Sequence, residues 1–186
     1  MTQQSLFDLR ATFPQCGRLD WIGVRPSRDV PMLELHEVDA ITGAGLSGDR
    51  YTGARGMREV TLIQYEHLAV VAALLNGQVT GQTDAPLAGE MHLQRGRLPL
   101  APGLLRRNLL VSGINLLALQ RAHFRVGDVV LAGTGQCHPC TKMERALGPG
   151  GYNAMRGHGG ITARVIAPGR LRVGDQLSRL TGEIIQ

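Results

Sequence analysis

Apolar and polar residues along the chain change period several times, and each change marks an element. Leu19-Asp20-Trp21-Ile22-Gly23-Val24-Arg25 reads as a strand closed by Pro26 and the turn-forming Ser27-Arg28-Asp29. Leu33-Glu34-Leu35-His36-Glu37-Val38 alternates with the period of two expected of one half-buried strand. The β-branched content of Glu59-Val60-Thr61-Leu62-Ile63 predicts another short strand. From Gln64 to Leu75 the apolar spacing turns helical among good helix formers, and Asn76-Gly77 supplies a stop.

Between these lie weaker signals. Gly43 to Gly53 is a glycine-rich loop, with glycines where positive φ or close backbone approach is needed. Gly77 to Gly103 mixes Gly, Pro and polar residues and predicts loop with short strands, after which 104–113 reads as a turn feeding a strand. Arg-Val-Gly-Asp occurs twice, at 125–128 and 172–175, each time before a strand-like run, with Gly-Asp setting a tight turn. One echo is too little for a repeat architecture. Many short strands and one clear helix instead predict a mainly β fold, a β-barrel-like core with helices packed outside.

Composition narrows the picture. At 186 residues, 43% of them hydrophobic, the chain suits one compact domain. Its first residues show neither a basic nor an apolar leader region, and its longest apolar run, 68–75, is far short of the roughly 20 residues that span a bilayer. A soluble, cytoplasmic protein without a membrane partner is expected, since three cysteines make a poor disulfide framework. The net charge of +5 favours anionic partners, but the arginines are dispersed, and three Phe, three Tyr and one Trp offer little for stacking bases. Nucleic acid is not the expected partner; a small phosphorylated ligand accounts equally well for the arginines.

The chemistry concentrates in Gly135-Gln136-Cys137-His138-Pro139-Cys140-Thr141-Lys142-Met143-Glu144, where two thiols and an imidazole fall within four residues. Half of a zinc site is one reading, completed in space by Cys16, His123 or His158. A thioredoxin-like redox pair is another, although that motif opens a helix in a βαβ unit and here follows a strand-like run in a β-rich chain. Burial of both cysteines as small apolar residues is a third. Thr134-Gly135 before the pair and Thr141-Lys142 after it favour an exposed loop.

Several stretches, in order, resemble the MOSC domain, named for the C-terminal domain of molybdenum cofactor sulfurase. They are Gly45-Leu46-Ser47-Gly48-Asp49-Arg50-Tyr51, Val60-Thr61-Leu62-Ile63, Arg106-Arg107-Asn108-Leu109, Val126-Gly127-Asp128-Val129, Cys137-His138-Pro139-Cys140 and Val173-Gly174-Asp175. Each motif alone is common; their ordered combination around the cysteine pair is specific. The resemblance covers residues 18–180, leaving 1–17 as an N-terminal extension and 181–186 as a tail. In the extension, Leu6, Leu9 and Phe13 would share one helical face against the barrel or a partner.

The resemblance implies a MOSC-type β-barrel with peripheral α-helices that binds molybdenum cofactor. Cys140 matches the cysteine that ligates the metal in the family's reductases, and thiolate suits a thiophilic metal. Cys137 is then a neighbour that packs or supports it. Arg106 and Asn108 match an Arg-X-Asn turn suited to gripping phosphate or pterin oxygens. Asp49 and Arg50 occupy the family's Gly-Asp-Arg turn, where an internal salt bridge fixing a loop is the competing role. Thr141 and Lys142 flank the metal ligand, Arg156 in its Gly-rich turn would close the anion pocket, and His138 would hydrogen-bond an oxo group or substrate. The implied activity is two-electron reduction of small N-hydroxylated compounds. Three cysteines are too few for a ferredoxin cluster of the chain's own, so a separate reductase would supply the electrons. The alternative is a sulfur carrier or cofactor-delivery protein with a persulfide on Cys140 and no turnover.

Overall fold

The structure, a computed structural model, describes residues 5–50, 56–76 and 100–180. Its elements in chain order are α1 (Leu6–Ala11), β1 (Gly17–Val24), β2 (Leu33–Leu35), β3 (Glu37–Ile41), β4 (Gly45–Leu46), β5 (Val60–Gln64) and α2 (Tyr65–Asn76). They continue with a 3-10 turn (Pro102–Leu105), β6 (Leu109–Ser112), a second 3-10 turn (Leu116–Leu119), β7 (His123–Val126), β8 (Val129–Gln136), α3 (Thr141–Leu147), α4 (Gly151–Ala154), β9 (Ile161–Ala167), β10 (Gly169–Arg172) and β11 (Gln176–Arg179).

Neighbouring strands run β11-β7-β8-β9-β5-β6-β1-β2, and β11 also pairs with β1, so the strands from β11 to β1 close into a seven-stranded barrel. Closure removes the free edges that an open sheet would have to protect. All barrel pairings are antiparallel except β5 with β6, which run parallel. Parallel neighbours need a long crossover, and α2 forms part of it.

Alternation along the strands separates two cores. Val60 and Leu62 of β5, Leu109 and Val111 of β6, and Ile161, Ala163 and Val165 of β9 fill the barrel interior. Ile63 and Leu110 point outward and, with Trp21, meet Leu68 and Val71 of α2, Met143 of α3 and Ala154 of α4. Fully burying a Leu or Ile side chain stabilises by about 1.5–3 kcal/mol, so this outer cluster holds the helices on the wall. Leu19 faces inward and Trp21 outward although they are two apart, because the β1–β6 register shifts between them. A one-residue slip of this kind turns the later side chains of a strand to the opposite face.

The strand expected over 33–38 is two. Leu33 and Leu35 pair with Val24 and Ile22 in the barrel sheet, whereas Val38 pairs with Leu171 in a separate sheet of order β10-β3-β4. The chain changes sheet at His36, whose carbonyl accepts from the Val173 amide at 2.9 Å. Both Arg-Val-Gly-Asp copies are tight turns between strands: the first closes the β7–β8 hairpin, whereas the second carries the chain from β10 in the smaller sheet to β11 in the barrel. They also meet each other: the Gly127 amide donates to the Gln176 carbonyl at 3.1 Å. In α1, Leu6 and Leu9 are exposed and only Phe13, beyond the helix, packs on the barrel core. The loop expected over 77–103 falls largely outside the described residues, apart from the 3-10 turn that ends it.

Candidate functional site

Register brings the motifs together. Gln136 pairs with Ile161, Ile161 with Leu62, Leu62 with Leu109, and Leu109 with Ile22, a single row across five neighbouring strands. Segments adjoining that row, 137–140, 155–160, 106–108 and 23–25, are therefore neighbours in space. The Cys137 amide donates to the Gly160 carbonyl at 2.9 Å. Arg107, buried, donates to the carbonyls of Leu105 at 2.7 Å, Gly159 at 2.9 Å and Cys137 at 3.3 Å, joining three segments through one guanidinium. Burial pushes this guanidinium below its usual range, opposed by Cys137 and, more weakly, Cys140. A Cβ on Gly160 would lie 1.9 Å from the Leu62 carbonyl oxygen, at φ +81°, so that the turn can lie this close to β5 only with glycine there.

The two cysteines differ. Cys137 is 2% exposed, and its Sγ accepts from Arg58 Nη2 at 3.1 Å. Cys140 is an exposed free thiol with extended backbone, standing immediately before α3 and accepting the Met143 amide on its carbonyl at 2.8 Å. The exposed loop expected for the pair holds for Cys140 and His138 and is corrected for Cys137. The pair also precedes α3 instead of lying in its first turn, after an antiparallel strand.

Asp49 and Asn108, expected at the ligand, lie below the surface. Asn108 is fully buried, and its Oδ1 accepts from Arg25 Nη2 at 3.0 Å, Thr61 Oγ1 at 2.8 Å and the Thr61 amide at 3.1 Å. Its Nδ2 donates to the Gly23 carbonyl at 3.1 Å and to Asp49 Oδ2. No donor or acceptor of this amide is left for a ligand. Asp49 completes a buried ion pair with Arg25, Nε to Oδ2 3.0 Å, so the competing salt-bridge role is the one its geometry fits. Arg50 follows it into solvent, with its amide donating to the Arg25 carbonyl at 2.8 Å.

Arg106 departs from strand geometry with φ 54°, capping the 3-10 turn in the left-handed region, and its Nη1 donates to the Val30 carbonyl at 3.1 Å. That turn around Val30 also carries Asp29, another non-glycine residue at positive φ, whose carboxylate pairs with Lys142 Nζ at 3.2 Å. Lys142 holds the Asp29 carboxyl below its usual range, with smaller help from Arg28 and Arg106. Thr141 is exposed beside Cys140. The structure thus gathers Arg106, Thr141 and Lys142 around the start of α3.

Beside it opens a cleft of about 680 Å³, lined by Gln136, His138 and Pro139 on one wall and Tyr152, Asn153, Arg156 and Gly157 on the other. That volume is in the range of about 300–1,000 Å³ usual for small-molecule sites. No carboxylate lines it, and Arg156 and His138 have no side-chain partner among the described residues. The second wall is set by Glu144, which sequence reading missed: its two oxygens accept the Gly150 amide at 2.8 Å and the Tyr152 amide at 2.7 Å. These bonds hold its carboxyl below the usual range. Arg58 and Arg107 were missed as well. Arg107 had a signal, its place inside the Arg-X-Asn motif; Arg58 had none. Among the described residues no three His, Cys, Asp or Glu side chains converge as a metal cluster, which leaves the zinc reading without a ligand set there.

A small closed barrel with a cysteine loop and an anion-suited cleft on its wall defines the class of protein, and the comparisons agree. A family model, the MOSC domain, matches residues 46–178, and the chain belongs to that family, which binds molybdenum cofactor. The fold is similar to that of the YuaD protein from Bacillus subtilis, with TM-score 0.66, 18% identity, and coverage of 87% of this chain and 94% of that one. It is also similar to YiiM from Escherichia coli, with TM-score 0.59, 19% identity, and coverage of 89% and 71%. YiiM from Geobacillus stearothermophilus gives TM-score 0.60, 14% identity, and coverage of 89% and 75%. No curated protein matches the sequence significantly. Among the described residues no helix is long and apolar enough to cross a membrane.

Proposed function

We propose that this chain binds molybdenum cofactor through Cys140 and reduces small N-hydroxylated compounds in the cytoplasm, with electrons from a separate reductase. The observation that carries the reading is the exposed Cys140 thiol, which directly follows two residues, His138 and Pro139, that line a carboxylate-free cleft. The donor set fits the group: a soft thiolate for a thiophilic metal, and guanidinium, imidazole and amide groups for an anionic pterin. When bound, the cofactor supplies two-electron redox chemistry, and the protein supplies orientation and electrostatics.

Cys140 would hold the metal as its thiolate. Arg156 with Arg50, Arg106, Thr141 and Lys142 hold anionic and polar edges of the cofactor. His138 donates a hydrogen bond to the substrate's N-bound oxygen from the facing wall. Asp49 and Asn108 act at one remove, fixing Arg25 and the loop that leads to Arg50. The test is turnover of hydroxylaminopurine by protein purified from molybdenum-replete cells, with an artificial electron donor. Nitrogen-reduced product is expected. Bound cofactor without turnover on any N-hydroxylated compound would refute the reductase and favour the carrier role.

A further inference from the structure

We infer that His67 and His158 form a pH-sensitive latch that positions Arg156 in the cleft. Their ring centroids are 5.0 Å apart at an interplanar angle of 75°, an edge-to-face contact between imidazoles. Nδ1 of each ring is buried with no hydrogen-bond partner among the described residues. Buried polar atoms are rarely left so, and here two of them belong to rings in direct contact.

The two halves of the contact belong to different parts of the molecule. His67 lies in the first turn of α2, where Glu66 Oε1 accepts the Gly113 amide at 2.8 Å, directly after β5, whose last residue Gln64 accepts the Leu116 amide on Oε1 at 3.1 Å. His158 lies in the 155–160 turn, and its amide donates to the Met155 carbonyl at 3.0 Å. That turn carries Arg156 and Gly157 into the cleft, and its Gly159 and Gly160 carbonyls hold Arg107 and the Cys137 amide. The ring contact therefore links a fixed helix to the segment that aims the cleft's arginine.

A proton on either Nδ1 finds no acceptor, and protonating both rings sets two cations 5.0 Å apart. Of the groups facing His67, Glu66 on its own helix favours the proton and His158 opposes it, while β5 and β6 bring no titratable side chain and α4 only Tyr152. Burial is the largest influence, ahead of His158, and the outcome is a His67 held below 6.5. An imidazole lowered in this way leaves the latch complete above about 6.5, and its contribution is lost as pH falls through 6.5 toward the folded-state value. In acid the turn parts from α2 and Arg156 shifts.

The inference rests on the pair's geometry, so the chain without cofactor serves for its test and the cofactor reading does not affect the outcome. Nuclear magnetic resonance of the full chain from pH 5 to 8 would follow the two imidazoles and the amides of Arg156, Gly157 and Gly159. These amides should move with the His67 midpoint, below 6.5. In His67→Phe, which keeps a ring in the contact, they should stay at their high-pH positions throughout. If that variant does not fold, His158→Phe is expected to give the same flat response at Gly157 and Gly159. Amides that ignore the His67 titration in the wild type, or that still titrate in the folded variant, would overturn the latch.

Discussion

Two polar regions adjoin the same row of paired strands, and they differ in how their side chains are occupied. In the cluster of Arg25, Asp49, Thr61 and Asn108, the described contacts are internal and the side chains are buried. In the cleft, Arg156 and His138 are exposed and reach toward solvent without partners among the described residues. Motif residues therefore divide between two tasks. Asp49 and Asn108 build the loops, whereas Cys140 and Arg156 are the groups free to meet a ligand. A motif match locates a site without saying which of its residues touch the ligand.

Substitution separates the regions most sharply at Asp49. Asp49→Ala leaves the Arg25 charge buried and partly unpaired, which should cost about 3–5 kcal/mol of stability in urea unfolding. A loss under about 1 kcal/mol with abolished cofactor binding would instead make Asp49 a contact residue and collapse the comparison. Arg156→Ala should do the reverse: stability within about 0.5 kcal/mol of wild type, with cofactor content sharply lowered in protein from molybdenum-replete cells. The smallest effect is expected at Glu144, whose lowered carboxyl stabilises the cleft wall fully above the ordinary value of 4.5 and loses that contribution as pH falls through its folded-state value. The Gly150 and Tyr152 amide resonances should report it in acid, and Glu144→Gln should weaken the response.

Local pattern carried much of the fold. The strand expected over Leu19–Arg25 and the helix over Gln64–Leu75 correspond to β1 and α2 within a residue or two, and the turn-rich β pattern pointed to a barrel. Sheet exchange at His36 left only a small trace, two consecutive polar residues, His36 and Glu37, that break the period-two alternation without naming the new partner strand. The buried cluster was hidden for a related reason: Asn108 meets Gly23, Thr61 and Asp49, all 47 or more positions away in sequence. Arg106 and Asn108 read, by resemblance, as the gripping residues of an Arg-X-Asn turn. With Arg106 in the left-handed region and Asn108 buried, it is Arg107 between them that reaches the cysteine loop. The asymmetry of the cysteines was accessible only through family resemblance until burial distinguished them.

The central claim, that Cys140 holds the metal while Cys137 supports the loop beneath it, is tested most directly by molybdenum and pterin content of two purified variants. Cys140→Ala should lose nearly all molybdenum while keeping its fold. Cys137→Ala, losing only a buried thiol that accepts from Arg58, should retain most of it. Full molybdenum in Cys140→Ala, or loss confined to a folded Cys137→Ala, would contradict the account.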